Sequence, residues 1–264
     1  MTTVPRRTLL RYLLFALFVA FGGRTTYRWS NIDKRRKDLA ENLKATSNSS
    51  KHVRLRLINE AFSGNGQTFS DEKLFYTFKV HELDKLNLPS GDLVAADAIT
   101  TPDRPAFDTR LPAGRYPVSI AIKQILTKGK QGNTGNQRVA YAKLSITDKP
   151  VAQWLLATTC KPDPKHLDDD EYYGYPVDAG VGSFMDVRAS KILCGIHDSG
   201  ERIIAELERH DVESWSWANF VVDPVGGLNV IVFSSGYGDG TYPTYYGLTN
   251  NGEIACVVTD FMIV

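Results

Sequence analysis

From His52 onward the chain is built of short runs rich in Val, Ile, Leu, Phe, Tyr and Thr, each broken by Gly, Pro, Asn, Asp or Ser. After "HVRLRL" come "KLFYTFKVHEL", "GDLVAADAI", "GRYPVSIAIKQIL", "QRVAYAKLSI", "SWANFVVD", "LNVIVFSS" and "EIACVVTDFMIV". Runs of this length and composition read as strands, and their close spacing leaves no room for a crossover helix between most of them. Neighbouring strands must therefore pair mainly antiparallel. The Gly/Asn-rich stretch "KGKQGNTGNQ" at 128–137 reads as a hairpin loop.

Helical spacing occurs in three places in this body. "DKPVAQWLLATT" carries Asp148 as a cap and Pro150 in its first turn. "DVRASKIL" follows Asp186, and "DSGERIIAELERH" places Asp198 three residues before Glu201 in a capping-box pattern. Strands on both sides of a central helical section predict an α+β fold: one mainly antiparallel sheet domain over 52–264 with about three short helices. At 264 residues and 42% hydrophobic content the chain can bury a sizeable core, which excludes disorder of the whole.

Charge divides the chain. Residues 1–56 hold 13 Lys/Arg against Asp33, Asp38 and Glu41, a net of +10, so the total of +1 leaves −9 for the rest. An acidic body repels nucleic acid and attracts a partner with a basic surface, whereas a basic leader is drawn to anionic phospholipid. The leader "VPRRTLLRYLLFALFVAFGGR" has Arg6, Arg7 and Arg11 ahead of a 12-residue apolar run, Tyr12 to Gly23. That run is short for a bilayer span and normal for the core of an export signal, so 1–23 reads as a signal peptide or membrane anchor. "PRRTLLR" resembles the twin-arginine pattern, and "AFG" at 20–22 offers a cleavage site. Residues 24–51 follow as a basic helical linker. The expected location is the periplasm, cleaved or tethered to the inner membrane, with no cysteine near the leader to carry a lipid. Cys256 alternates as a buried strand thiol, and in an oxidising compartment Cys160 and Cys194 are a candidate pair.

Three segments are candidates for a site. "FSSGYGDGTYPTYYGL", 233–248, reads as a strand, a glycine turn and a strand, a hairpin in which Gly236, Gly238 and Gly240 supply the path and Asp239 starts the turn. Its Tyr237, Tyr242, Tyr245 and Tyr246 offer rigid contact area with polar tips, useful to a partner and equally at home on a half-buried sheet. "YGYPVDAGVGSFMD", 173–186, has glycines and successive amides that could cradle an anion, but lacks any nucleotide-binding pattern, and its Asp178 and Asp186 are explained as turn and cap residues. "CKPDPKHLDDDEYYGYP" holds Asp163, Asp168, Asp169, Asp170 and Glu171 without the spacing of a calcium loop. It reads as a solvated loop or as an acidic dock for a basic cleft.

No GxSxG, HExxH, CxxC, SxxK or phosphate-loop sequence occurs, and His52, His81, His166, His197 and His210 are scattered without ligand spacing. No cofactor or metal is expected. The blocks "HELDKLNLPSGDLVAAD", "LPAGRYPVSIAI", "RVAYAKLSITDKPVAQW", "YPVDAGVGSFMD" and "FSSGYGDGTYPTYYGLTNNGEIACVVTDF" together resemble the bacterial domain-of-unknown-function family 4241, in order, over about 74–264. Relative to that family's pattern Tyr237 and Tyr246 stand where tryptophan is common, and Ser183 where cysteine is common, which argues against cysteine chemistry at 183. The resemblance implies a shared fold and no known reaction.

Two functions of different class follow. One is a non-enzymatic binding protein outside the inner membrane, an immunity protein that occludes a secreted antibacterial toxin such as a lipase effector, through Asp168, Asp169, Asp170 and Glu171 and through Tyr237, Asp239, Tyr242, Tyr245 and Tyr246. The other is an envelope hydrolase using two of Asp97, Asp178, Asp186 and Asp239 as paired acid and base, which requires two of them in one cleft.

Overall fold

The computed structural model describes residues 51–64, 66–70, 75–126, 137–159, 172–212 and 214–264. The leader, most of the linker, Cys160, the 128–136 loop and the acidic stretch holding Asp163, Asp168, Asp169, Asp170 and Glu171 lie outside them. Among the described residues no helix is long and apolar enough to cross a membrane. One compact unit spans Ser49–Val264.

The elements, in order, are α1 (Lys51–Ala61), β1 (Thr68–Ser70), β2 (Phe75–Leu88), β3 (Leu93–Ala96), β4 (Gly114–Leu126), β5 (Gln137–Ser145), β6 (Gln153–Leu156), β7 (Gly174–Val177) and β8 (Val181–Asp186). They continue with α2 (Val187–Gly195), α3 (Ser199–Arg209), β9 (Trp217–Asp223), β10 (Leu228–Ser234), β11 (Gly240–Leu248) and β12 (Ile254–Asp260). The strands form two sheets, with order β1-β2-β4-β5-β12-β11-β6 in the larger, where β7 also joins β11, and β3-β8-β10-β9 in the smaller. Every pairing between these strands is antiparallel. The fold is thus α+β and mainly antiparallel β, with three helices among the described residues.

Packing explains the layering. One face of the small sheet buries Val94, Ala96, Met185, Phe220, Val230 and Val232 against Ala189 and Leu193 of α2 and Ile203 and Leu207 of α3. Phe184 of β8 and Phe233 of β10 meet edge to face at 5.1 Å, and Phe233 meets Phe261, just past β12, at 6.1 Å. All three rings are buried, so burial at ~1.5–3 kcal/mol each, plus edge-to-face packing, joins the sheets. On the large sheet Ile58 and Ala61 of α1 pack with Tyr76, Phe78, Tyr141 and Val258.

Four sequence expectations are corrected. "HVRLRL" alternates like a strand but lies in α1, because Leu55, Ile58 and Phe62 continue the segment at helical spacing and give it one apolar side. "VAQWLLATT" is no helix; Gln153–Leu156 pairs with Tyr245–Leu248, and tertiary pairing overrides local propensity. Asp198 does not cap α3 through its side chain: it takes the left-handed conformation at φ 56°, and its carboxylate pairs with the His197 imidazole. Finally, β10 and β11 do not form a hairpin. β10 belongs to the small sheet and β11 to the large one, so the glycine turn between them carries the chain from one layer to the other.

Candidate functional site

Asp97 organises the end of the small sheet where this layer change occurs. It follows β3, is fully buried, and accepts four backbone hydrogen bonds. Ile99 N and Thr100 N donate to Oδ1 at 2.9 and 3.1 Å, while Asp178 N and Ala179 N donate to Oδ2 at 2.9 and 2.7 Å. Burial alone would raise its pKa; the four donors outweigh that and hold the carboxyl below the usual range. The 173–186 segment does cradle an anion on successive amides, and the anion is this chain's own Asp97. Asp186 plays the matching part at the other end of β3. Also buried, it accepts Ser90 N and Ser90 Oγ on Oδ2 and caps α2 by accepting Arg188 N on Oδ1.

These two acids do not form a catalytic pair. Leu93 at the start of β3 sits opposite Asp186, and Asp97 follows the strand's far end, which at a strand rise of ~3.3 Å separates them by about 13 Å. Asp178 and Asp239 are exposed. Ser183, where the resemblance places a cysteine, is buried and donates its hydroxyl to Ala96 O at 2.7 Å. Cys194 is exposed and Cys256 buried, while Cys160, the other member of the candidate pair, lies outside the described residues.

The tyrosines of 237–246 separate by burial. Tyr242 and Tyr246 are only 7% and 2% exposed, and Tyr245 is half-buried against the α1-side cluster. Tyr242 and Tyr246 therefore belong to the core and are not open to a partner. Tyr242 instead braces the turn: its hydroxyl donates to Gly238 O at 2.8 Å and its ring packs edge to face on Phe261 at 5.0 Å. Ser235 Oγ also donates to Gly238 O, and Ser235 N donates to Gly180 O. Gly236, at φ 61°, completes a turn that most side chains would strain. The turn so fixed projects Tyr237, which is 68% exposed, beside exposed Asp239.

Tyr237 is the exposed end of an Arg-aromatic chain of contacts that passes through the buried Gln137 and Trp215. The Arg138 guanidinium lies 5.7 Å from the centre of its ring, and Arg138 Nη1 donates to Gln137 O at 2.7 Å. Trp215 Nε1 donates to Gln137 Oε1 at 3.4 Å, and its ring stands 5.1 Å from His81. His81 lies 6.3 Å from Trp217, on which His210 packs at 4.4 Å. Backbone bonds between Val212 and Trp215, and between Ser216 and Ser234, hold the loop that carries the tryptophans. Burial first, then the Lys79 and His210 charges, lower the His81 pKa against the opposing pull of Glu82. Sequence reading passed over this group. The available signal was "SWSW", where two tryptophans two residues apart at the entry to a strand can reach the same side of the chain, with an arginine at a strand end next to a glycine-rich loop.

A small cavity of about 30 Å³, lined by Arg104, Phe107, Thr158, Tyr173 and Tyr242 among others, holds no more than a water or two. Among the described residues no group of His, Cys, Asp and Glu could hold a metal ion.

The profile of the family described as protein of unknown function (DUF4241) matches residues 86–259. The chain belongs to this family. Neither a curated protein nor a solved structure matches it. The DUF4241 match takes in Arg138, Trp215, Trp217, His210, Tyr237, Asp97 and Asp186, whereas His81 and α1 precede it.

Proposed function

We propose that this DUF4241 protein is a non-enzymatic binding protein, an immunity protein that inhibits an antibacterial secreted toxin by covering its working surface. The observation that carries the reading is the rigid, exposed Tyr237 joined through Arg138 and Gln137 to Trp215, Trp217 and two histidines. Tyrosine, tryptophan and arginine are the residues that dominate protein interfaces, and a turn fixed before binding loses little entropy on docking. The acidic body favours a toxin with a basic surface, and the leader favours action in the periplasm or on the outer side of the inner membrane.

The test uses a strain in which a secreted effector is encoded beside this gene. Deleting the gene makes the strain sensitive to that effector delivered by its siblings, and wild-type protein restores resistance. The triple variant Arg138→Ala, Trp217→Ala, Tyr237→Ala, expressed and folded equally well, fails to restore it and fails to bind the purified effector in calorimetry. Full protection by the triple variant, or undiminished resistance after deletion, refutes the proposal.

A further inference from the structure

The outer face of the large sheet holds a second feature, independent of the Arg-aromatic surface. A cavity of about 240 Å³ opens beneath α1, lined by Ile58, Phe62, Lys143, Val151, Trp154 and Cys256 among others. Lys143 comes from the C-terminal half of β5, where it pairs across the strands with Val258 and Ser119. Its Nζ lies 4.1 Å from the centre of the Phe62 ring, and among the described residues no carboxylate stands within ion-pairing distance of it. The other cation at the cavity, Lys149, is already held by Glu253. Asp148 lies at the same wall on an exposed loop.

A half-buried ammonium without an ion-pair contact is costly, and proteins ordinarily place such a group against an anion. Burial lowers the Lys143 pKa, with the Cys256 and Glu82 groups pulling the other way. Trp154, lining the same cavity, carries a buried Nε1–H with no acceptor among the described residues. Its ring is seated over Gly247, where a Cβ would come within 3.0 Å of Trp154 Cζ3 and 2.7 Å of Cys256 Sγ. The cavity floor is therefore shaped by an absent side chain; one wall is apolar, from Ile58, Phe62, Val151 and Trp154, the rim is polar, from Ser145, Thr147 and Asp148, and Lys143 is the cation without an ion-pair partner among the described residues.

We propose that this cavity binds a small organic carboxylate, with the carboxylate on the Lys143 ammonium and the apolar body against Ile58, Phe62 and Val151. A lone ammonium suits a monoanion better than a phosphate dianion, which would draw on several donors. The volume exceeds the ~150 Å³ apolar cavity that accommodates benzene in another protein, so a chain of about six carbons fits. Because α1 supplies one wall and the sheet the other, ligand binding ties α1 to the body.

The experiment is calorimetric titration of the full chain at pH 7 with hexanoate, hexan-1-ol and inorganic phosphate. Hexanoate binds saturably at one site, hexan-1-ol and phosphate bind at least 10-fold more weakly, and Lys143→Gln loses at least 10-fold in hexanoate affinity with an unchanged melting curve. Lys143→Arg, which keeps the charge, retains binding. Absence of saturable hexanoate binding, equal binding of the alcohol, or equal binding of phosphate overturns the proposal. Should Lys143→Gln fail to fold, the comparison of acid, alcohol and phosphate on the wild-type chain decides alone.

Discussion

Replacing Asp97 by asparagine tests whether the junction of the two sheets is held electrostatically. The asparagine amide has nearly the same shape but keeps only one acceptor oxygen, so two of the four N–H donors now face an NH2 group. A buried donor left without an acceptor costs ~1–3 kcal/mol. Asp178 is an exposed residue and its N–H can recover a water, so the lower part of that range applies, about 2–4 kcal/mol for the pair. At about 2–4 °C per kcal/mol for a domain of this size, the melting temperature falls by about 4–16 °C. The assay is urea unfolding followed by tryptophan fluorescence and far-ultraviolet dichroism, with Asp239→Asn as the exposed control expected to change stability by less than about 0.5 kcal/mol. The pH dependence supplies a second arm. The Asp97 pKa is depressed in the fold, so its stabilisation is fully present above the unfolded value of 3.8 and is lost as pH falls through the folded value. The gap between wild type and Asp97→Asn must therefore close below pH 3.8. A loss under about 1 kcal/mol at pH 7, or a gap that widens in acid, would mean that the four amides do not anchor this junction.

The remaining expectations concern the exposed surface and the sheet. Tyr237→Ala and Arg138→Ala each leave stability within about 0.5 kcal/mol of wild type in urea unfolding, since Tyr237 is exposed, while each weakens binding of the effector measured by calorimetry. His81 has a lowered pKa, so its contribution to stability is present above the unfolded 6.5 and is lost as pH falls through the folded value; His81→Gln flattens the stability profile between pH 7 and 5. Gly247→Ala costs about 1–3 kcal/mol in urea unfolding, because the new methyl meets Val151 Cγ2 at 2.8 Å and Cys256 Sγ at 2.7 Å, the latter on β12 of the sheet. The Cys256 thiol is pushed up to about 11 by burial, so at pH 8 only ~0.1% is thiolate; peptide mapping after brief alkylation finds Cys256 unlabelled until denaturant is added.

Periodicity carried the strands because each pairs within its own sheet, and "GRYPVSIAIKQIL" matches Gly114–Leu126 residue for residue. Periodicity could not say which sheet a strand joins. The turn at 235–239 satisfies the local demands of a hairpin, with Gly236 and Gly238 at positive φ, and the same geometry serves a crossover equally well. What decides is Phe233 reaching Phe184 on one side and Phe261 on the other, a contact set drawn from three distant parts of the chain. The same non-locality hid the site. Tyrosine content drew attention to 237–246, yet a tyrosine on alternate strand positions is inward or outward according to sheet assignment, and placing β11 in the large sheet, between β12 on one side and β6 and β7 on the other, turned Tyr242 and Tyr246 inward. Tyr237 escaped because it lies on the turn and not on the strand. Its partners Arg138, Trp215 and His81 come from β5, the loop before β9, and β2, so the surface exists only once both sheets are packed. The proposed binding at Tyr237 is thereby linked to the sheet junction that Asp97 holds: two of the amides on Asp97 come from the 178–179 turn, whose neighbour Gly180 receives the Ser235 N–H that positions the Tyr237 turn. Loosening Asp97 should weaken partner binding through Tyr237 without touching either residue of the Arg138–Tyr237 contact.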